Sequence, residues 1–360
     1  MSMLSVDPNR IRSAWEGRIS GCQLGKPVEL ISILGGRETL IDYLKEADAY
    51  PLRDYVPLIE NSPVDSVITR QSCKEYLQRS EPDDDINYSV LALMMLEEHG
   101  LELTIADVAR AWLRWIPGGA TFTAERAAYR TLLERAADGF AYGADPGFDL
   151  MDCAENEWSE WIGAQIRADL YGWVCPGKPE LAADLARRDA SLSHKGEGIH
   201  GAAIVAALGA AIPSSKSLMD AVEVACSVVP EDSGAAQAIS LGRSLVGKQD
   251  AVEQLHAKYK DLHPVHVLNN LAVVVWGLLS HEQDFSAAVG EAVSAGWDTD
   301  CNGATVGGLW GLQGKPIPSH WTQPWQGRVA VTIAGVGELQ LDDLVDRTVA
   351  VAEKLVGNEG

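Results

Sequence analysis

The sequence predicts an all-α protein that forms one compact bundle of ten or more helices. Three observations support this fold class. Apolar residues recur with helical spacing in many successive segments, and several of these segments end at glycine or proline. Period-two alternation is almost absent, and its best example, Arg328–Ile333, is weak. The chain has neither a strand–glycine–helix unit of the Rossmann type nor a G-x-x-x-x-G-K-[ST] loop.

The predicted helices follow one another from residue 86 to the end of the chain. Ile86–Glu98 is rich in Leu and Met, follows Pro82 and ends at Gly100. Gly201–Ala211 is almost wholly Ala, Val, Ile and Leu, so we expect it to be buried on every side. The other predicted helices are Thr104–Trp115, Thr123–Ala137, Trp158–Tyr171, Pro179–Ser193, Leu218–Val229, Ala235–Leu245, Ala251–Lys260, Val265–Leu279, Phe285–Ala295 and Leu341–Leu355.

We expect a single domain over residues 1–360, because no Pro- or Ser-rich linker and no internal repeat divides the chain. Residues 34–75 contain many short polar pieces interrupted by proline. We expect these residues to form a surface excursion.

Charge excludes two classes of partner. The chain has 29 basic and 51 acidic residues, a net charge of −22, which repels nucleic-acid phosphates and anionic membranes. A hydrophobic content of 46% argues against a disordered acidic tail. The N-terminus lacks an apolar signal core, and no apolar run reaches the roughly 18 residues of a membrane span. The six cysteines are scattered without a C-x-x-C pair, so we expect a cytoplasmic protein without a disulfide framework.

A glycine motif near the N-terminus departs from ordinary helix sequence. Gly17–Glu29 starts as a helix and then carries Gly21, Gly25 and Pro27. Glycines at this spacing let one backbone approach another group closely. Taken alone, the motif fits a helix C-terminus that ends in a surface glutamate.

Two acidic motifs each precede a predicted helix. Asp83–Asp85 forms a carboxylate triplet, which is costly unless positive charge offsets it. Asp298 and Asp300 flank Thr299 before a glycine-rich helical stretch. N-capping accounts for one or two carboxylates at each place. The excess points to hard divalent cations, and the two helix starts together could hold two octahedral ions.

The fourth unusual segment is a loop and helix that lead to Ser193-His194 and a glycine-broken turn at His200-Gly201. Such a segment can bind a ligand through backbone N–H groups. A loop histidine is, however, more often a capping or hydrogen-bonding residue than a catalyst.

The four motifs together resemble the ADP-ribosylglycohydrolases over about residues 10 to 325. This family includes ADP-ribosylarginine hydrolase, ADP-ribosylserine hydrolase and the dinitrogenase reductase-activating glycohydrolase. The resemblance implies an orthogonal all-α bundle with two Mg²⁺ ions in a cleft, for which Mn²⁺ could substitute. It also implies hydrolysis of an N- or O-glycosidic bond to ADP-ribose on a modified protein or small molecule.

The resemblance assigns roles to individual residues. The metal ligands would be Asp83, Asp84, Asp85, Asp298, Asp300 and Cys301, and the catalytic residues would be Glu29, Asp84 and Asp300. The substrate-binding residues would be Gly25, His194, Gly198, His200, Gly201, Asn302 and Gly303. Asp83 and Cys301 each replace a threonine of the family pattern, and Cys22 replaces an aspartate.

These departures leave two alternatives open. The enzyme could hydrolyse the N-glycosidic bond of a free nucleoside or nucleotide-like compound. Alternatively, the protein could bind ADP-ribose with weak or no turnover.

Overall fold

The computed structural model describes residues 6–65 and 69–357, and it confirms the all-α prediction. The α-helices are Pro8–Gly25, Glu29–Glu46, Asp84–His99, Ile105–Trp115, Thr123–Arg135, Asp169–Trp173, Pro179–Ala190, Gly196–Ala211, Leu218–Cys226, Gly234–Ser244, Ala251–Tyr259, Val267–Ser280, Phe285–Ser294, Thr299–Gly311, Ser319–Thr322 and Leu341–Gly357. Short 3₁₀ turns connect several of them, among them Lys26–Val28 and Ile162–Arg167. Arg328–Ala330 and Glu338–Gln340 form a small antiparallel sheet.

One predicted helix is wrong. The segment Trp158–Tyr171 is a turn up to Trp161, followed by the 3₁₀ turn Ile162–Arg167 and the short helix Asp169–Trp173. Trp161 is extended and forms a β-bridge with His266, and the Ile162 N–H donates to the Val265 carbonyl. The local apolar pattern favours a continuous helix here. The backbone instead pairs with a distant loop, which replaces the helical hydrogen bonds around Trp161.

Residues 34–75 begin inside the helix Glu29–Glu46, which changes direction at Gly36, where φ is 75°. The side chains of Leu40, Leu44 and Tyr55 are buried in the main core. The segment therefore contributes to the core through apolar side chains on both its helix and its loop.

The first helix and the helix Thr299–Gly311 form the central antiparallel pair of the fold. A Cβ atom at Gly21 would lie 1.9 Å from the Gly303 carbonyl oxygen, and one at Gly17 would lie 2.1 Å from the Gly307 oxygen. Only glycine permits this backbone approach. The close contact brings the C-terminus of the first helix next to the start of the helix Thr299–Gly311.

The helix Gly196–Ala211 is buried around most of its surface, as its composition predicts. With the turn that follows, Gly196–Ser214 is long and apolar enough by composition to cross a membrane, although the sequence suggested no such run. Within the protein, 72% of its apolar window is buried, as in a core helix.

Candidate active site

The helix Asp84–His99 begins with the carboxylate triplet. Asp83 is the N-cap, and its Oδ1 accepts a hydrogen bond of 3.0 Å from the Asp85 N–H. Asp84 and Asp85 lie in the first turn, where free N–H groups and the helix dipole favour negative charge. Capping therefore accounts for Asp83, while Asp84 and Asp85 have no capping role.

The helix Thr299–Gly311 begins after a tight turn. Gly296 and Trp297 both have left-handed backbone conformations, with φ of 89° and 63°. The Trp297 ring stacks on His256 at 4.2 Å between ring centroids, which holds this strained residue in place. The Thr299 hydroxyl donates to the Gly25 carbonyl at 2.9 Å and ties the helix start to the first helix.

The two helix starts converge, as the sequence predicts. Ligand atoms of Asp85, Asp300 and Cys301 lie within 4.8 Å of one another, and so do those of Glu29, Asp298 and Asp300. The triplet Asp83, Asp84 and Asp85 satisfies the same limit. Asp300 belongs to two of these groups and therefore links the two acidic motifs.

Three carboxylate oxygens in this cluster are buried without a hydrogen-bond partner. They are Asp85 Oδ2, Asp298 Oδ1 and Asp300 Oδ1. A buried anionic oxygen without a partner is costly, and a divalent cation with hard oxygen ligands removes that cost. The residues present therefore fit a cation such as Mg²⁺.

The acids of the site have strongly shifted pKa values. Burial and the neighbouring carboxylates raise the pKa of Glu29, Asp84 and Asp298 well above the usual range. Burial and the charge of Asp83 raise the pKa of Asp300 to about 6. Burial is the first cause of each of these shifts, and repulsion between the neighbouring carboxylates adds to it.

Two cations partly compensate the cluster. The Arg18 guanidinium contacts Asp85 at 3.1 Å and Asp169 at 2.8 Å, and all three side chains are fully buried. Lys26 Nζ lies 2.7 Å from Asp83 Oδ2. Burial opposes ionisation of Asp83, but the Lys26 ammonium holds the pKa of this carboxyl below its ordinary value.

Cys301 lies among the carboxylates, as the resemblance implies. Burial and the charge of Asp298 raise the pKa of its thiol well above the ordinary value. A neutral thiol is a weak ligand for a hard cation. The carboxylates are therefore the better donors at this position.

The acids of the cluster, except the fully buried Asp85, line a cleft of about 490 Å³. Apolar side chains form much of its wall, including Ile33, Ile162, Ile166 and Val265. Leu30 and Phe122 also line the cleft and are more than half exposed. An apolar wall facing charged groups is typical of a small-molecule site.

The predicted substrate-binding residues lie outside the lining of this cleft. Gly25 and Gly303 are in the helix–helix contact, where a Cβ atom would lie 2.3 Å and 2.4 Å from backbone oxygens. Asn302 is buried and donates to Asn270 Oδ1 at 2.8 Å. Packing between helices accounts for both glycines.

The residues of the loop motif from His194 to Gly201 also lie outside the lining of the cleft. His194 is buried, bonds to Ser193 through Nδ1, and has its Nε2 3.9 Å from Glu125 Oε1. Gly198 and Gly201 lie within a helix, where a Cβ atom would contact Ser159 and Val267, respectively. His200 bonds to Glu197 at 3.3 Å. None of these four residues lines the cleft, and only His194 lies next to an acid of its lining, Glu125.

Sequence reasoning missed three charged residues that shape the site: Arg18, Lys26 and Glu125. Lys26 carried a signal, because a lysine within a glycine motif is an unusual choice for a closely packed backbone. Arg18 and Glu125 resemble ordinary helix-surface residues in sequence, and only the tertiary fold buries them.

Together, fold and cleft define an all-α protein whose carboxylate-rich site is suited to a divalent cation. The model of the ADP-ribosylglycohydrolase family matches residues 4–356, so the chain belongs to this family. A solved structure described as an ADP-ribosylglycohydrolase-related protein complex is similar, with a TM-score of 0.53. That match covers 96% of this chain and 99% of the other at 16% sequence identity, which shows a shared fold. Comparison with curated proteins gives no match.

Proposed function

We propose that this protein is a Mg²⁺-dependent hydrolase that cleaves an N- or O-glycosidic bond to ADP-ribose. The substrate would be an ADP-ribosylated protein or a small ADP-ribosyl compound. Family membership supports the reaction class. The observation that carries the metal dependence is the set of unpartnered buried oxygens on Asp85, Asp298 and Asp300.

Asp84, Asp85, Asp298 and Asp300 would hold the cation, and Mn²⁺ could replace Mg²⁺. When bound, the metal supplies electrostatic stabilisation to sugar hydroxyls and lowers the pKa of bound water. Asp298 and Asp300 precede or begin one helix, and Asp84 and Asp85 begin another, so both sets have rigid supports.

Glu29 would act as the general acid or base. It lines the cleft at the start of a helix, and burial together with the neighbouring carboxylates raises its pKa well above the ordinary value, in the direction a general acid requires. Glycoside hydrolysis passes through an oxocarbenium-like transition state, which nearby carboxylates stabilise. Leu30, Ile33 and Phe122 line the same cleft as Glu29 and would limit water around the reacting sugar.

A second candidate substrate is a nucleoside or similar N-glycoside without phosphate. Lys26 is the one basic residue lining the described cleft, and Asp83 already binds its ammonium group. Glu29, Glu125 and four aspartates of the lining repel a diphosphate unless metal neutralises them. This charge balance favours an uncharged substrate.

A substrate panel separates these candidates. We expect ADP-ribose release from ADP-ribosyl-arginine or ADP-ribosyl-serine in Mg²⁺, with loss of release in EDTA. Asp84→Ala and Asp300→Ala should reduce turnover by at least about a hundredfold, while the exposed Asp138→Ala control keeps it.

Cleavage of a purine nucleoside alone would support the second candidate. Calorimetric binding of ADP-ribose without product at saturating Mg²⁺ would instead identify a binding protein. Full activity of the Asp300→Ala variant, or of the wild-type protein in EDTA, would contradict the proposed mechanism.

A further inference from the structure

Lys26 is a buried cation inside an acidic site. It lies in the turn Lys26–Val28, between the first helix and the helix that begins at Glu29. Its Nζ donates to the Pro82 carbonyl at 2.6 Å and to Asp83 Oδ2 at 2.7 Å. Both contacts lie just before the helix Asp84–His99, so the ammonium group is fixed at the edge of the carboxylate cluster.

Asp83 differs from its neighbours in how its oxygens are used. Its Oδ1 accepts the Asp85 N–H and its Oδ2 accepts the Lys26 ammonium. Asp298 and Asp300, by contrast, each leave one buried oxygen without a partner. Asp83 is therefore satisfied by the protein itself, whereas Asp85, Asp298 and Asp300 are satisfied only in part.

The Lys26–Asp83 pair also balances the negative charge that Asp83 adds to the site. The family resemblance gives a neutral threonine where this chain has Asp83. The lysine ammonium at 2.7 Å cancels the extra negative charge, so the Lys26–Asp83 pair is a neutral unit, as threonine is. The third carboxylate of the triplet is thus paired within the protein.

We propose that Lys26 is a positioning residue that keeps Asp83 out of the metal coordination sphere and limits the affinity of the site for divalent cations. The inference rests on the proposed metal site. Asp84, Asp85, Asp298 and Asp300 would hold the cation, while Asp83 caps the helix and anchors the ammonium group.

Titration of Mn²⁺ into metal-free protein by calorimetry tests this proposal. Lys26→Met removes a positive charge and frees Asp83, so we expect Mn²⁺ to bind at least about tenfold more tightly. Asp83→Thr leaves the ammonium unpaired beside the site, so binding should weaken by at least about tenfold. The double variant should return to within about threefold of wild type, because both charges are gone.

Lys26→Arg is the matched control, since it keeps a cation beside Asp83, and its affinity should stay close to wild type. Lys26→Gln carries the same prediction as Lys26→Met and provides a second neutral variant if methionine impairs folding. Thermal unfolding followed by circular dichroism identifies folded variants.

The proposal is overturned if folded Lys26→Met or Lys26→Gln binds Mn²⁺ no more tightly than wild type. A double variant that binds Mn²⁺ at least about tenfold more weakly than wild type would also overturn it, because Asp83 would then be a ligand in the wild-type protein.

Asp300→Asn separates this proposal from the proposed function. Loss of Mn²⁺ binding in Asp300→Asn, together with unchanged binding in Lys26→Met, would reject only the role of Lys26. Wild-type binding in Asp300→Asn, or no saturable Mn²⁺ binding by the wild-type protein, would reject the metal site and the role of Lys26 together.

Discussion

Two buried charge clusters lie next to each other in this protein, and they differ in how their charges are satisfied. The acid-rich cluster comprises Glu29, Asp83–Asp85, Asp298 and Asp300. The arginine-centred cluster comprises Arg167, Glu125, Asp189, Ser193 and His194. Glu125 connects them, because it lines the cleft and its charge raises the pKa of Asp84 further, after burial and the nearer acids.

Arg167 satisfies the carboxylates around it. It donates to Glu125 Oε1 at 2.7 Å and to Asp189 Oδ1 at 3.0 Å, and the Tyr171 hydroxyl donates to Asp189 Oδ2 at 2.9 Å. His194 leaves Nε2 without a hydrogen-bond partner, and burial, with the charge of Arg167, lowers the pKa of the ring well below its ordinary value.

The two clusters differ in how far the protein's own cations balance their carboxylates. The arginine-centred cluster contains its own cation and stabilises the fold. The acid-rich cluster keeps three buried carboxylate oxygens without partners, and an external cation would complete it. Removing a charge should therefore have opposite effects on stability in the two clusters.

The largest expected effect is in the arginine-centred cluster. Arg167→Met leaves two buried carboxylates without their cation, so we expect a loss of about 3–5 kcal/mol in the free energy of unfolding. Urea denaturation measures it. Arg135→Met, which breaks an exposed pair with Asp152, is the control and should cost less than about 1 kcal/mol. If both variants lose less than about 1 kcal/mol in the free energy of unfolding, the arginine-centred cluster stabilises the fold no more than a surface ion pair does.

The next largest effect is in the acid-rich cluster, where removing a charge should raise the free energy of unfolding. Asp300→Asn removes one of several mutually repelling carboxylates at nearly constant volume. We expect the metal-free protein to gain about 1–2 kcal/mol in the free energy of unfolding, measured by urea denaturation in EDTA. Destabilisation in EDTA would show that Asp300 is satisfied within the protein, in contradiction to the comparison.

The smallest effect concerns pH. The pKa of Asp300 is raised to about 6 in the folded protein, above the unfolded value of 3.8. Its contribution to stability is therefore fully present below about pH 4 and is lost as pH rises through about 6. The advantage of Asp300→Asn over wild type in EDTA should grow by about 1 kcal/mol between pH 5 and pH 7.5. If the stability advantage of Asp300→Asn shrinks as pH rises, the pKa of Asp300 is not raised in the folded protein.

The sequence predicted much of this arrangement, because both acidic motifs are local signals at helix starts. The glycine motifs also predicted a close backbone approach, which Gly21 and Gly303 form between two helices. The pairs of Lys26 with Asp83 and of Arg18 with Asp85 join different elements, and no local pattern specifies them. The same limit explains the non-helical stretch around Trp161, where a bridge to a distant loop replaces the expected helix.

Anomalous diffraction from crystals grown with Mn²⁺ tests the central claim most directly. We expect an anomalous peak among Asp84, Asp85, Asp298 and Asp300, and none at the arginine-centred cluster around Arg167. Crystals that show no peak at the acid-rich cluster, at Mn²⁺ concentrations that saturate the protein in solution, would contradict the account.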